Sequence, residues 1–247
     1  MATFRDHFSR GSADYAAFRP RYPDALFAEI AARLAGRALA WDVGTGSGQA
    51  AVALARHVDR VLATDASAAQ IAAAEPHPAV EYRVARAESS GLPDASCDLV
   101  TVAQALHWFD LAPFFAEVVR VLRPGALFAA WTYSGITLGD PELDAVLYAF
   151  ARETVGPYWP PERALVDAGY AGIALPFPDV PFPALSIDAE LALDQLVGYV
   201  RTWSSVQRFI AAEGHDPTVP LAESLRGRWG ARRPARWPIV VRAGRKG

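Results

Sequence analysis

The run Asp42-Val43-Gly44-Thr45-Gly46-Ser47-Gly48 places three glycines at alternate positions directly after an acid. Glycine has no side chain to block approach, so such a turn brings backbone amides close to a ligand. A helix opening near Gly48 adds its positive amino end. With Gly44 and Gly46 as its first two glycines, a dinucleotide fingerprint needs a third at position 49, where the chain has Gln49. The run also lacks the lysine of a phosphate-cradling loop. Hydride transfer to a nicotinamide and nucleotide hydrolysis both lose ground. About twenty residues downstream, Asp65 has the chemistry to accept from both hydroxyls of a ribose; its plain alternative is a turn residue ahead of Ser67. Asp42 can either hold the loop or face a ligand's ammonium group.

A second constellation, Gln104-Ala105-Leu106-His107-Trp108-Phe109, follows a strand and so lies at the carboxyl edge where open α/β sheets bind ligands. His107 can hydrogen-bond a reacting group or take its proton, or it can be a packed imidazole beside two aromatics. Trp108 can form a pocket wall. Tyr15, Arg19, Arg21 and Tyr22 surround Pro20 and Pro23, and an arginine there can pair with a ligand carboxylate; Arg201 can do the same for an acidic substrate. His57, His77 and His215 show no ligand spacing, and no metal site is expected.

The elements that must position these groups can be read from periodicity. Two helical pieces precede residue 37, the second over 25–34 with Asp24 as N-cap. Strands are expected at 38–42, 60–65, 80–84, 99–103 and 126–133. Helices fall at 49–56, after the Ser67 cap to 74, and at 113–122, with Arg123-Pro124-Gly125 as a turn. Alternating strands and helices imply a parallel sheet covered on both faces. Beyond Gly135 the rhythm changes to helices at 141–153 and 162–168, then a proline-rich bend or edge strand at 175–185. Asp188 is read as the cap of a helix to 200; helices at 205–211 and 219–228 and a last strand at 237–243 follow. The expected organisation is a helical lid (1–36), a ligand-binding core (37–135), a helical cap (136–235) and a final core strand (236–247).

With 247 residues, 52% of them hydrophobic, the chain can bury a large core. It contains no long apolar run, and Arg5, Asp6, His7 and Arg10 occupy the place of a secretory signal, so a cytoplasmic protein without membrane attachment is expected. Cys97 is the single cysteine and reads as a small core residue. A net charge of −3 gives no general attraction to nucleic acid. The arginines between Arg226 and Lys246 surround an apolar Trp237-Pro238-Ile239-Val240-Val241 segment and read as solvated flanks of a strand.

Together with Asp65-Ala66-Ser67, Ala87-Glu88, Leu92-Pro93, Asp98-Leu99-Val100 and Leu122-Arg123-Pro124-Gly125-Ala126, the two constellations resemble the class I S-adenosylmethionine-dependent methyltransferases. Within that class they are similar to the subgroup of trans-aconitate methyltransferase and other small-molecule carboxyl methyltransferases. The resemblance covers residues 1 to about 135, and Gly198-Tyr199-Val200-Arg201-Thr202-Trp203-Ser204 resembles the subgroup's substrate-side segment. It implies a Rossmann-like fold, a mostly parallel seven-stranded twisted sheet with helices on both faces and a helical cap. It also implies S-adenosylmethionine as cofactor. Gly44, Thr45, Gly46 and Gly48 would then receive the methionine moiety with Asp42, and Asp65 the ribose. Ala66 and Gln70 would flank the adenine, and Ala87 and Glu88 would meet its edge. Gln104 and Ala105 would lie beside the transferring methyl. Tyr15, Arg19, Tyr22, Trp108, Tyr199, Arg201 and Trp203 would face the substrate, with His107 as the catalytic candidate. Many relatives carry Asp or Asn before the Ala-Glu pair, whereas this chain has Arg86, a pure donor. The expected reaction is methylation of a small molecule, first of a carboxylate oxygen, then of a hydroxyl, carbon or nitrogen. A non-catalytic cofactor-binding regulator and a nicotinamide oxidoreductase are the other classes.

Overall fold

The computed structural model describes residues 18–247, so Tyr15 and the first expected helical piece lie outside the described residues. Five strands alternate with helices, except that a loop alone joins β3 to β4: α1 (Asp24–Ala32), β1 (Ala40–Val43), α2 (Gln49–Leu54), β2 (Val61–Asp65), α3 (Ala68–Ala72), β3 (Val80–Val84), β4 (Cys97–Ala103), α4 (Leu111–Val121) and β5 (Leu122–Thr132). The remainder comprises α5 (Pro141–Ala149), α6 (Arg163–Asp167), β6 (Leu185–Leu191), α7 (Leu193–Arg201), α8 (Ser204–Glu213), α9 (Thr218–Trp229) and β7 (Arg233–Arg245). The strands form one seven-stranded sheet in the order β3-β2-β1-β4-β5-β7-β6. The first five are parallel, and β7 runs antiparallel to both β5 and β6.

The order reverses between β1 and β4, whose loops leave adjacent carboxyl ends in diverging directions. A crevice opens at such a switch point. The loops that leave it here are 44–48 and 104–109, the two constellations picked out by their chemistry.

Local sequence explains the helices beside that crevice. Phe114, Val118 and Val121 recur at helical spacing and bury one face of α4 against the sheet. The Ser67 hydroxyl caps α3 by accepting from the Gln70 amide at 3.4 Å. In β5, Leu127, Ala129 and Trp131 face a core layer shared with α1, α2 and α7, while Phe128 and Ala130 face the layer beneath α4.

Four details differ from expectation. Pro23, already extended, precedes α1, and Asp24 lies inside the helix with its carboxylate 3.3 Å from Arg56. Arg123-Pro124-Gly125 is a bulge within β5: pairing jumps from Cys97–Leu122 to Leu99–Leu127, and Gly125 has φ +78°. Asp188 caps no helix but lies in β6, where it stands opposite Arg236 and pairs with it at 2.5 Å. There Ile187, Ala189 and Leu191 alternate with Ser186, Asp188 and Glu190, a period of two that the proline-rich approach obscures. The segment 136–235 therefore supplies a strand as well as helices. Finally, β7 is longer than expected and contains Pro234 and Pro238. Its residues 233–239 pair with β6 and its residues 240–245 with β5. The Arg236 amide donates away from β6, to the Thr137 carbonyl, and the two prolines share that parity, so the ladder loses no donor.

Most arginines near the carboxyl end are committed within the protein. Arg228 pairs with Glu142, Arg233 with Asp140 and Arg242 with Asp179, while Arg245 donates to the carbonyls of Gly125 and Arg33. No helix among the described residues is long and apolar enough to cross a membrane.

Candidate functional site

The crevice is a cavity of about 510 Å³, within the range of small-molecule sites. Its sheet side is built from the loops after β1, β2, β3 and β4, and its other side from Arg19, Pro20 and Tyr22 together with Pro161, Glu162 and Arg208.

Asp42 is fully buried and does not line the cavity. Its two carboxylate oxygens accept from the hydroxyls of Thr45 (2.6 Å) and Thr101 (2.7 Å), tying the glycine loop to β4. Burial pushes its pKa up to about 6, against the lowering effect of those hydrogen bonds. Of the two roles open to it from sequence, the structure shows the first, holding the loop. At Gly44 (φ +65°) a Cβ would stand 2.7 Å from the Ala105 Cβ, and at Gly48 (φ +83°) 2.2 Å from the Tyr82 hydroxyl. Glycine is required at both by conformation and by contact. A Cβ on Gly46 would meet only the Gln70 side chain at 3.8 Å, so this residue opens onto the cavity.

Asp65 lines the cavity while accepting from the amides of Gly46 (2.9 Å) and Ser67 (2.8 Å). Its carboxylate is therefore aimed by the loop it supports. Ala66, Gln70, Ala87 and Glu88 line the same wall, and Arg86 donates to one oxygen of Glu88 at 3.1 Å, which fixes that carboxylate. Gln104 adopts φ +55°, with its side chain bridging Thr132 (2.6 Å) and the Tyr133 carbonyl (2.9 Å). This off-region backbone turns the chain at the end of β4 so that residues 104–109 face the loop after β1.

His107 does not line the cavity, although its neighbour Trp108 does. Its Nδ1 lies 2.9 Å from the Tyr170 hydroxyl, and burial lowers its pKa to about 4 with a further push from Arg163. It is a neutral imidazole fastening the Leu106–Trp108 turn to the segment after α6. Tyr199 and Trp203 are buried and pack together, Tyr199 also against Trp237 and Trp203 against Trp159 and Phe150. Arg201 points away and pairs with Asp216 at 3.0 Å. None of these three lines the cavity. Arg19 and Tyr22 do. Arg19 donates to the Thr202 carbonyl at 3.4 Å and lies over the Tyr199 ring, so Tyr199 acts beneath a wall residue.

Sequence reasoning missed several contributors, Tyr133 and Asp110 among them. Gln49 accepts from the Tyr22 amide at 3.1 Å and donates to the Pro20 carbonyl, drawing residues 20–22 over the glycine loop. Glu162 and Arg208 enter the wall from segments that carry no motif.

A methyltransferase domain family matches residues 41–130, the stretch from β1 into β5. A methyltransferase of Dictyostelium discoideum is 36% identical over 225 residues, covering 90% of this chain and 86% of that protein. The chain belongs to the class I S-adenosylmethionine-dependent methyltransferases. A type II methyltransferase structure from Anaeromyxobacter dehalogenans matches this methyltransferase with a TM-score of 0.86 at 46% identity, covering 92% of this chain and 97% of that one. An S-adenosylmethionine-dependent methyltransferase of Saccharomyces cerevisiae is 30% identical over 65% of this chain and 60% of its own length. The donor side of the methyltransferase fits its cofactor: an open glycine at position 46, an aimed carboxylate at Asp65 and a wall that small Ala66 and Ala87 keep clear of bulk. Among the described residues no group of three or more potential metal ligands occurs.

Proposed function

We propose that this methyltransferase acts on a small molecule and transfers the methyl group to a carboxylate oxygen, as in the trans-aconitate methyltransferase-like subgroup its motifs resemble. In this reading the glycine loop and Gln104-Ala105 hold the methionine half of S-adenosylmethionine, Asp65 holds the ribose, and Ala66, Gln70, Ala87 and Glu88 enclose the adenine. When bound, the cofactor supplies a methyl group on a positively charged sulfur. The chain's own work is to align the acceptor and exclude water.

The observation that carries the carboxylate is His107. A hydroxyl acceptor calls for a base near the reacting oxygen, and the imidazole best placed by sequence is instead behind the wall, neutral and held by Tyr170. A carboxylate is ionised already at neutral pH and becomes a neutral ester, so no proton needs to move. Tyr22, Trp108, Phe109 and Tyr133 give the cavity aromatic walls that favour such loss of charge. Limited volume and these walls also suit a small acceptor better than a nucleic acid backbone.

Incubation with methyl-labelled S-adenosylmethionine and a panel of small acids, phenols and amines tests this. The expected product releases labelled methanol on mild alkaline treatment, as methyl esters do. A product stable to alkali would instead report methylation of a hydroxyl, nitrogen or carbon.

A further inference from the structure

Three ionisable side chains of the cavity wall lie outside everything assigned to the donor and the strap at 19–22: Asp110, exposed at the start of α4, and two from the cap segments. Arg208 comes from the middle of α8, and Glu162 from the residue before α6. Both are half-buried. Among the described residues Arg208 has neither a hydrogen bond nor an ion pair, and the Glu162 carboxylate has none either. The pair is also not joined to each other, although most other arginines near the cap have found acids: Arg163 with Asp167, Arg201 with Asp216 and Arg228 with Glu142. A half-buried guanidinium without a protein partner keeps its donors available to a ligand. Facing a cavity, it is a preformed receptor for an anion, with a planar fork that matches a carboxylate.

The other cations of this wall are already spoken for. Arg19 reaches Tyr133, Thr202 and the Tyr199 ring, and Arg86 is held by Glu88. Glu162 sits on the same cap-side wall and makes it hostile to a second anion.

We propose that Arg208 and Glu162 select a monocarboxylate acceptor: Arg208 holds one carboxylate oxygen and leaves the other free to react, while Glu162 repels any further carboxylate. This rests on the carboxylate reading above. It explains how a cavity with aromatic walls orients an acceptor whose reacting group needs no base. It also places the selectivity on two residues that touch neither the glycine loop nor Asp65.

The test uses the whole enzyme, with chain-length series of monocarboxylates, dicarboxylates and matched primary alcohols as probes. Wild-type enzyme is expected to methylate monocarboxylates in preference to dicarboxylates of equal length. Arg208→Ala is expected to raise KM for the best monocarboxylate about 10- to 100-fold with a smaller change in kcat; Arg208→Lys recovers part of that loss. Glu162→Gln is expected to narrow the gap between dicarboxylates and monocarboxylates at least fivefold. Binding of S-adenosylhomocysteine by calorimetry, expected to be unchanged in all three variants, confirms that each is folded. If wild-type enzyme esterifies acids but Arg208→Ala keeps its KM, the anchor is overturned while the carboxylate reading stands. If Glu162→Gln leaves the preference intact, the exclusion of a second anion is overturned. If no acid is methylated and an alcohol is, the carboxylate reading falls and this inference with it.

Discussion

Replacing His107 by Asn tests the imidazole's place in the wall through the pH dependence of stability. Burial holds its pKa at about 4, against an ordinary value of 6.5. Below 6.5 the unfolded chain binds a proton that the folded chain refuses, so stability falls as pH drops and the loss is complete only near pH 4. From those two values the cost is about 2 kcal/mol at pH 5 and about 0.2 kcal/mol at pH 7. The substitution removes this titration and keeps a polar partner for the Tyr170 hydroxyl. At pH 7 the variant should be less stable by about 1 kcal/mol, the typical cost of a core substitution. At pH 5 the order should reverse, with the variant more stable by a similar margin. Urea unfolding at the two pH values, extrapolated linearly, measures both gaps. A gap that stays constant between pH 7 and pH 5 would refute the buried, neutral imidazole. Turnover gives a second reading: loss of a general base costs about 100-fold or more, so a fall in kcat of less than tenfold at pH 7 is expected.

Asp42 should act in the opposite direction. With its pKa raised to about 6, the folded chain takes up a proton before the unfolded one does, so lowering pH from 7 to 5 stabilises by about 1.3 kcal/mol, and Asp42→Asn should make the acid-side decline of stability steeper. Asp65→Asn puts an amide donor where the Gly46 and Ser67 amides both donate. Calorimetry should show S-adenosylhomocysteine affinity falling about 10- to 100-fold, and wild-type affinity would remove Asp65 from the cofactor site. Gly44→Ala forces a Cβ to within 2.7 Å of the Ala105 Cβ at φ +65°; thermal unfolding should register a loss of about 1–3 kcal/mol. Gln49→Ala removes the tie to Tyr22 and Pro20 and should increase proteolysis near residues 20–22 with a small change in stability, whereas an unaltered cleavage rate would show that other contacts hold that strap.

The glycine-loop side of the cavity was legible because its residues are contiguous and their spacing is dictated by backbone conformation. Gly44 and Gly48 have no substitute where φ is positive and a neighbour fills the Cβ position, so the pattern survives in the sequence. Asp65 could be singled out because it ends a strand at a fixed distance from the loop, and it lines the same cavity. The acceptor half was not legible for the converse reason. Glu162 and Arg208 stand 46 positions apart on unrelated segments, and only packing of the cap brings them to one wall. His107 was misleading because its sequence position matches an active-site edge, while its ring is captured by Tyr170, 63 residues on. Strand β6 was masked by the neighbouring prolines and by an aspartate that suits a helix cap as well as a cross-strand ion pair.

The strand order that opens the crevice also divides what natural variation can reach. The glycine loop, Asp65 and Gln104 end or follow strands whose neighbours fix their register, so a change there strains the sheet itself. The cap-side wall is borne by helices and loops, and at positions 162 and 208 its side chains are half-exposed with no side-chain partner among the described residues. A point substitution at either of these two positions therefore changes the lining of the cavity without altering the strands that carry the glycine loop.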